Sequence, residues 1–407
     1  MAGEATIFIP GIKGTKLIET NLPTWDTIWS GLQSNFETIE DLELTAVYRG
    51  RYFEENPNTI IRPGEIETLA YGEFLNDLKT EAPVYIFNYD WRLSARQNSD
   101  ILAEFMDYLI DKSKARSEES RKNFPNATVP IKSFNFITHS LGNFVLRSYL
   151  FKHKFSKVNK IAFTVPPFKG SIDIVSAALI GEGFFPNVKA KIRKIIRKMP
   201  GAMELLPVYD DASQFKPKGK VFHDFFKFNH WQSNIQESDQ SEGHKMKKIL
   251  ISSKKFVKDE LCDLRSLSPE IRDRIIIIVR GGFDTWQSVI VEKQGPGGLR
   301  NFVDFEKSLR NKEGDGRVPH SSSCIYHDCI RTYLLEDAFW FREYSHGFVL
   351  KDERLQKLVN RFLYGEDKFD PSIPGGSIKR VTKLETETDD DTHLPFKKVL
   401  TEDAVPK

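Results

Sequence analysis

The sequence predicts an α/β fold: a mostly parallel central sheet flanked by helices, with an inserted cap. Three observations predict it. Short apolar runs alternate with segments of helical spacing up to about residue 165, and such runs return after residue 274. One run, residues 134–138, passes through Thr138-His139-Ser140-Leu141-Gly142 into helical spacing at Leu141, Val145, Ser148 and Tyr149. Between about residues 169 and 261 the alternation breaks off. The expected division is a core at 1–168 and 262–366, a cap at 169–261, and a polar acidic tail at 367–407.

A buried-type strand at 5–9 runs into Pro10-Gly11-Ile12-Lys13-Gly14-Thr15. Two glycines straight after a strand suit a loop whose backbone comes close to a ligand. The Ile12 N–H is the candidate donor there. A mixed excursion follows at 24–78, with Trp25 and Trp29 at helical spacing, a Pro63-Gly64 turn and a helix at 71–78. The strand at 83–89 ends in Asn88-Tyr89-Asp90-Trp91-Arg92. Open α/β sheets bind ligands at the carboxyl ends of their strands, which makes Asp90, Trp91 and Arg92 candidate substrate contacts. A structural ion pair is the commoner use of Asp90 and Arg92. Ser99 or Asp100 can cap a helix running to about Lys114. The polar stretch 113–126 reads as a loop.

The run at 134–138 and the spacing after it frame a serine on a sharp strand-to-helix turn. That is the nucleophile elbow of α/β hydrolases. The turn is tight, and Gly142 lets the helix backbone pass close to the strand. It lifts the Ser140 hydroxyl off the sheet edge. It leaves the Leu141 N–H at the helix start, where donors are free and the dipole favours negative charge. Such a donor is half of an oxyanion hole, and a loop like that at Ile12 supplies the other half. Thr138 stands where the common pattern has glycine.

The next strand, 158–165, closes on Pro166-Pro167-Phe168-Lys169-Gly170-Ser171. In the cap, residues 189–199 are basic, with Ile192, Ile195, Ile196 and Met199 on one helical face. Such a face usually packs on a core; its other use is to lie on an anionic bilayer. Phe222, Phe225, Phe226, Phe228 and Trp231 suit either cap packing or the wall of an acyl groove. The strongest strand signal is at 274–279, with four consecutive isoleucines. Gly295-Pro296-Gly297-Gly298 is a loop, Glu313-Gly314-Asp315-Gly316-Arg317-Val318-Pro319 another, and 330–335 the expected last strand. A helix at 353–363 follows Tyr344-Ser345-His346-Gly347-Phe348. The tail carries Glu385, Glu387, Asp389, Asp390 and Asp391 among threonines, and reads as a solvated, partly disordered appendage.

Composition narrows the partners. The 407 residues carry 59 Lys and Arg against 57 Asp and Glu, a net charge of +2, so no nucleic-acid partner is implied. Mean hydropathy is −0.42, and no apolar run approaches the ~18 residues of a membrane span. Met1-Ala2-Gly3-Glu4 carries an acid in place of a basic leader, so a cytoplasmic location is expected. Cys262, Cys324 and Cys329 lack metal-ligand spacing and read as free thiols in a reducing compartment. No metal or cofactor is expected. The Asn126-Ala127-Thr128 sequon reads as accidental.

A serine needs a base to take its proton, and the base needs a carboxylate to hold its tautomer. In α/β hydrolases the chain order is serine, acid, histidine. Asp315 follows the isoleucine strand and His346 follows the strand at 330–335, so Ser140, Asp315 and His346 are the candidates. His320 and His327 are the fallback bases, and His139 points the wrong way in an elbow. The chain then resembles the lecithin:cholesterol acyltransferase family. The shared pieces are Pro10-Gly11-Ile12-Lys13-Gly14, Tyr89-Asp90-Trp91-Arg92, His139-Ser140-Leu141-Gly142, Pro167-Phe168-Lys169-Gly170-Ser171, Leu205-Leu206-Pro207, Gly314-Asp315-Gly316-Arg317-Val318-Pro319 and His346. The resemblance implies Ser140 as nucleophile with Asp315 and His346 as partners, and Ile12 and Leu141 as oxyanion donors. It adds Phe168 to the candidate substrate contacts. It implies an ester substrate with a lid over the groove; the expected reaction is attack on a phospholipid or neutral-lipid ester through an acyl-enzyme, and the basic face at 189–199 is the one feature that suits peripheral contact with a membrane surface. Two other functions fit less of the pattern: a small-ester or thioester hydrolase without a lipid interface, and a non-catalytic lipid-binding protein on the same fold.

Overall fold

The computed structural model describes residues 3–20, 26–29, 42–44, 46–48, 51–53, 60–123, 129–182, 186–216, 223–336, 346–365 and 378–403. Eight strands form the central sheet: β1 (Glu4–Ile9), β2 (Val84–Ile86), β3 (Ser133–His139), β4 (Val158–Thr164), β5 (Ile275–Arg280), β6 (Arg331–Leu335), β7 (Ile378–Thr388) and β8 (Pro395–Asp403). Their spatial order is β8-β7-β6-β5-β4-β3-β1-β2. The first six are parallel, and β7 and β8 add an antiparallel hairpin at one edge.

Both faces of the sheet are covered, which is why its strands read as continuous apolar runs. Alternate residues serve opposite layers. Ile7, Phe134, Phe136 and Ile277 pack against α2 (Ala95–Asn123) and α3 (Gly142–His153), through Leu102, Met106, Phe144 and Val145. Phe8, Ile137, Ile276 and Ile278 face α1 (Thr68–Leu78) and the helix Glu353–Tyr364, through Phe74, Leu75, Leu358 and Phe362. The register aligns Ile9 with Thr138, His139 with Thr164, and Arg280 with Leu335. The parallel strands therefore end along a single edge. This is the α/β-hydrolase arrangement the sequence predicts.

Several boundaries differ from expectation. Helix α2 does not stop near Lys114 but runs on to Asn123. The polar stretch beyond Ser113 is rich in Lys, Arg, Glu and Ser and meets no proline until Pro125, so nothing interrupts the helix. Its start is also earlier than Ser99: Glu204 accepts the Ala95 N–H at 2.8 Å and Ser94 Oγ accepts the Arg96 N–H at 3.2 Å. Asp26–Trp29 is a strand on Thr15–Glu19, not a helical turn, and Trp25 lies outside the described residues.

Strand pairing crosses the expected boundary at residue 261. Ser213–Lys216 pairs with Thr285–Gln294, which pairs with Arg300–Asn311 in a separate three-stranded sheet. A strand from the expected cap thus pairs with a hairpin from the expected core, which turns at Pro296–Gly298. The basic helix Pro186–Ile196 buries its apolar face: Ile192, Ile195 and Ile196 are enclosed, as is Met199 beyond its end. That face is therefore core packing and is not available to a bilayer. Phe225, Phe226 and Trp231 are buried too, while Phe222 lies outside the described residues. Among the described residues, no helix is long and apolar enough to cross a membrane.

The largest departure is the tail. Residues 378–403 are not a disordered appendage but the hairpin β7–β8, with Leu335 opposite Ile378 and Tyr333 opposite Arg380. The acidic run is its turn, where Asp389 Oδ1 accepts the Thr392 N–H and hydroxyl, each at 2.8 Å. Threonine suits strands, and here the pairing edge of β6 supplies what local sequence lacks.

Candidate active site

Ser140 sits between β3 and α3 at φ +50°, a left-handed backbone that L side chains rarely adopt. The Ser140 N–H donates to the Thr164 carbonyl at 3.2 Å, and Asn143 Nδ2 donates to the Ser140 carbonyl at 2.6 Å. Glycine is required on both sides. A Cβ on Gly142 would lie 2.5 Å from the Ile9 carbonyl oxygen and 2.7 Å from that of Pro10. A Cβ on Gly11 would lie 2.9 Å from Ser140 Cβ. The loop after β1 is thus pressed against the elbow. Among the described residues, no protein acceptor takes the N–H of Ile12 or of Leu141. Thr138 is fully buried and fits where glycine is commoner.

The serine, histidine and aspartate chosen from the sequence meet here. His346 Nε2 is 2.8 Å from Ser140 Oγ, and His346 Nδ1 is 2.7 Å from Asp315 Oδ2. All three side chains are buried. Asp315 Oδ1 accepts the N–H groups of Arg317 at 2.9 Å and Val318 at 2.8 Å. Burial pushes the Asp315 carboxyl up, but His346 and these N–H donors outweigh it and hold the group below its ordinary value. Gly316, at φ +96°, turns the loop, and its N–H donates to Thr285 Oγ1 at 2.8 Å. The carboxylate is thereby aimed inward, leaving Oδ2 for the imidazole.

The other sequence candidates fall elsewhere. Arg92 is fully buried, and its Nη2 and Nε donate to Asp90 at 2.6 and 3.0 Å. Arg92 Nη1 also donates to the Leu42 carbonyl at 3.2 Å. Trp91 donates its Nε1–H to the Thr15 carbonyl at 2.9 Å. Phe168 is buried, with the Arg147 guanidinium 5.4 Å from its ring centre. Trp91 also borders a cavity of about 20 Å³, lined with it by Lys13, Leu42, Ile192, Ile195, Ile196 and Met199. His320 bonds Glu313 and the Arg280 carbonyl, and His327 bonds the Cys324 carbonyl, so neither fallback base reaches Ser140.

Sequence reasoning missed two residues beside the site. His139 Nε2 is 2.8 Å from the His346 carbonyl oxygen, and His139 Nδ1 is 2.9 Å from the Tyr71 hydroxyl. Tyr71 comes from α1, on the opposite end of the sequence from His346. Its place in a helix was legible, but nothing local points it at the elbow. Ion pairs also ring the site. Lys13 pairs with Glu182, and Arg317 pairs with Asp173 at 2.5 Å and Glu182 at 3.7 Å. They tie the Ile12 loop and the Asp315 loop to the start of the cap.

No curated protein matches the chain. Among solved structures, a chain of the Tle4–Tli4 complex matches with a TM-score of 0.61 at 13% identity, covering 89% of this chain and 98% of that one. At that identity the likeness speaks for the fold, which it supports over most of the length. Phospholipase PlaB from Legionella pneumophila overlaps at a TM-score of 0.23 and 12% identity, over 55% of this chain and 42% of that one, too little to bear on the fold. The family model described as lecithin:cholesterol acyltransferase matches residues 78–268, a segment that holds Ser140 and Leu141 and stops before Asp315 and His346. The resemblance read from the sequence is therefore borne out over residues 78–268, where the chain matches the lecithin:cholesterol acyltransferase family model.

Proposed function

We propose that this protein is a serine acyl-ester hydrolase or acyltransferase acting on lipid esters. The observation that carries the chemistry is the hydrogen-bonded series Ser140 Oγ–His346–Asp315 at a strained elbow. Its lipid substrate class rests on the family domain.

His346 Nε2 takes the Ser140 proton as Oγ attacks the ester carbonyl. The developing oxyanion is met by the N–H groups of Ile12 and Leu141, each such donor lowering the barrier by about 3–4 kcal/mol. Asp315 keeps the imidazole proton on Nδ1 and stabilises the imidazolium. The imidazolium protonates the leaving alcohol as the C–O bond breaks, leaving an acyl-Ser140 ester. Water or a second alcohol then gives its proton to His346 and attacks that ester. Fatty acid or a new ester departs, and Ser140 recovers its proton. The protein's own residues carry every step of this reading.

The test is fluorophosphonate labelling of wild type against Ser140→Ala, followed by mass analysis of products from phospholipid vesicles with a long-chain alcohol present. Labelling lost in the variant, with acyl products from the vesicles, is expected. Free fatty acid alone would specify a lipase or phospholipase, and an alkyl ester would specify transfer. An unlabelled wild type, or a Ser140→Ala protein with full ester cleavage, would sink the reading.

A further inference from the structure

The hydrogen bonds around His139 run in a fixed direction. A carbonyl oxygen only accepts, so the contact at the His346 main chain requires the proton on His139 Nε2. Burial, then the neighbouring His346, pushes His139 down to about 3, so the ring is neutral. A neutral ring with Nε2–H has an acceptor at Nδ1, and the Tyr71 hydroxyl must donate to it across 2.9 Å. Burial raises the Tyr71 phenol above its ordinary value, so it keeps that proton. The pair is pressed against the loop after β1: a Cβ on Gly14 would lie 2.7 Å from the Tyr71 oxygen, and one on Gly11 would lie 2.7 Å from His139 Nδ1.

From this geometry we infer that Tyr71 and His139 are positioning residues for the reaction, a strut from the Gly11–Ile12 loop to the main chain of His346. The inference rests on the triad reading above. The strut spans the three parts that must meet. Gly11 precedes the oxyanion donor Ile12, His139 precedes the nucleophile, and the carbonyl it holds belongs to the base itself. Asp315 fixes the His346 ring by its side chain, and His139 fixes the same residue by its backbone. Together they hold Nε2 at 2.8 Å from Ser140 Oγ. The strut must also stay neutral. The His139 and His346 ring centres are 5.2 Å apart, so a cation at 139 would oppose the imidazolium that forms at 346.

Neither residue touches substrate in this account, so the test separates positioning from simple packing. Tyr71→Phe keeps the ring that packs 5.0 Å from the Phe8 ring and removes the hydroxyl alone. His139→Gln keeps a neutral donor able to reach the His346 carbonyl, and His139→Leu does not. The measurements are kcat and KM on a soluble short-chain ester, the fluorophosphonate labelling rate, thermal midpoints, and long-range 1H–15N spectra of the imidazoles. The expected losses in kcat are about tenfold for Tyr71→Phe and about 100-fold for His139→Leu, the size of a 1 Å misplacement. KM should stay within about twofold, and His139→Gln should recover most of the loss. The double variant should be no worse than His139→Leu alone, because one strut is broken either way. In the spectra, wild-type His139 should carry its proton on Nε2, and Tyr71→Phe should blur that preference.

A wild type that labels at Ser140 while Tyr71→Phe and His139→Leu keep full kcat and labelling rate would overturn the strut and leave the triad reading intact. Additive losses in the double variant, or a proton on His139 Nδ1, would also overturn it. A wild type that fails to label overturns both readings together.

Discussion

The proposed nucleophile and its proposed base are held in opposite ways. Ser140 is fixed by its neighbours in sequence: strand β3 before it, Gly142 and helix α3 after it, and a backbone at φ +50° that the turn imposes. His346 is fixed by residues far along the chain: Asp315 on its ring and His139 on its carbonyl. The first arrangement is rigid because covalent geometry and a buried sheet over-determine it. The second depends on a few directed hydrogen bonds. Chemistry at Ser140 should therefore survive small changes near the elbow's exposed periphery but fail when a single remote bond to the base is lost.

The largest effect should come from that remote half. Asp315→Asn keeps the shape of the side chain but lets it donate to His346 Nδ1, favouring the wrong tautomer. Such a change in a triad costs about 10⁴ in kcat. Steady-state kinetics should show the loss in kcat with KM little changed, and a fluorophosphonate should label Ser140 correspondingly slowly. A loss under about tenfold would mean that Asp315 does not orient the base.

The local half is best broken at Gly142. Its new Cβ in Gly142→Ala would meet the Ile9 and Pro10 carbonyl oxygens at 2.5 and 2.7 Å, and backbone atoms do not yield cheaply. The loop carrying Ile12 must move. A stability cost of about 1–3 kcal/mol is expected for such overpacking. A kcat loss of about 100-fold is expected from the displaced oxyanion donor. Chemical denaturation and kinetics on one sample check both. A variant with native stability and native kcat would show that the loop has room to retreat.

The terminal hairpin sharpens the contrast, because it supports only the remote half. Leu394 and Phe396 pack with Ile290 and Leu309, and the Val399 N–H donates to the Glu313 carboxylate at 3.3 Å, two residues before Asp315. Leu394→Ala should cost about 2–3 kcal/mol through the cavity it leaves. Its effect on kcat should be a few-fold at most, since Asp315 keeps its own N–H donors. A kcat loss beyond about 30-fold would mean that the hairpin holds the acid loop in register, not merely in place.

The same division explains what could be read from the sequence. The elbow was legible because its strand, serine, glycine and helix are adjacent and each carries its own signal. Asp315 and His346 were legible as loop residues after particular strands, although only the fold brings them to Ser140. The strut was not legible. Tyr71 joins the site through the packing of α1 on the sheet, and His139 was dismissed from a general expectation about elbows. The tail failed for the complementary reason. Asp389, Asp390 and Asp391 marked a turn, and its strands exist by pairing with β6, which no local pattern announces. The pairing of Ser213–Lys216 with a hairpin beginning at Thr285 was equally hidden, for the same reason.

The start of α2 extends the contrast to pH. Glu204, from the cap side of the chain, accepts the Ala95 N–H at 2.8 Å and a hydrogen bond from Ser94 Oγ at 2.5 Å. Burial pushes its carboxyl up to about 8, against the opposing pull of Ser94 and Ala95. In the unfolded chain the group titrates near its ordinary value, about 4.3. Its folded value lies above that, so its contribution to stability is full below about pH 4.3 and is lost as pH rises through about 8. The slope can be no more than about 1.4 kcal/mol per pH unit, and less to the extent that Ser94 and the helix start stabilise the ionised form. Glu204→Gln retains an acceptor for the Ala95 N–H and cannot ionise. Unfolding free energies measured from pH 5 to 9 should fall more steeply for wild type than for Glu204→Gln, with the two curves drawing apart toward pH 8. Parallel curves would mean that the helix start holds Glu204 ionised throughout. The remote contact between Glu204 and the start of α2 would then be a charged one that does not titrate between pH 5 and 9.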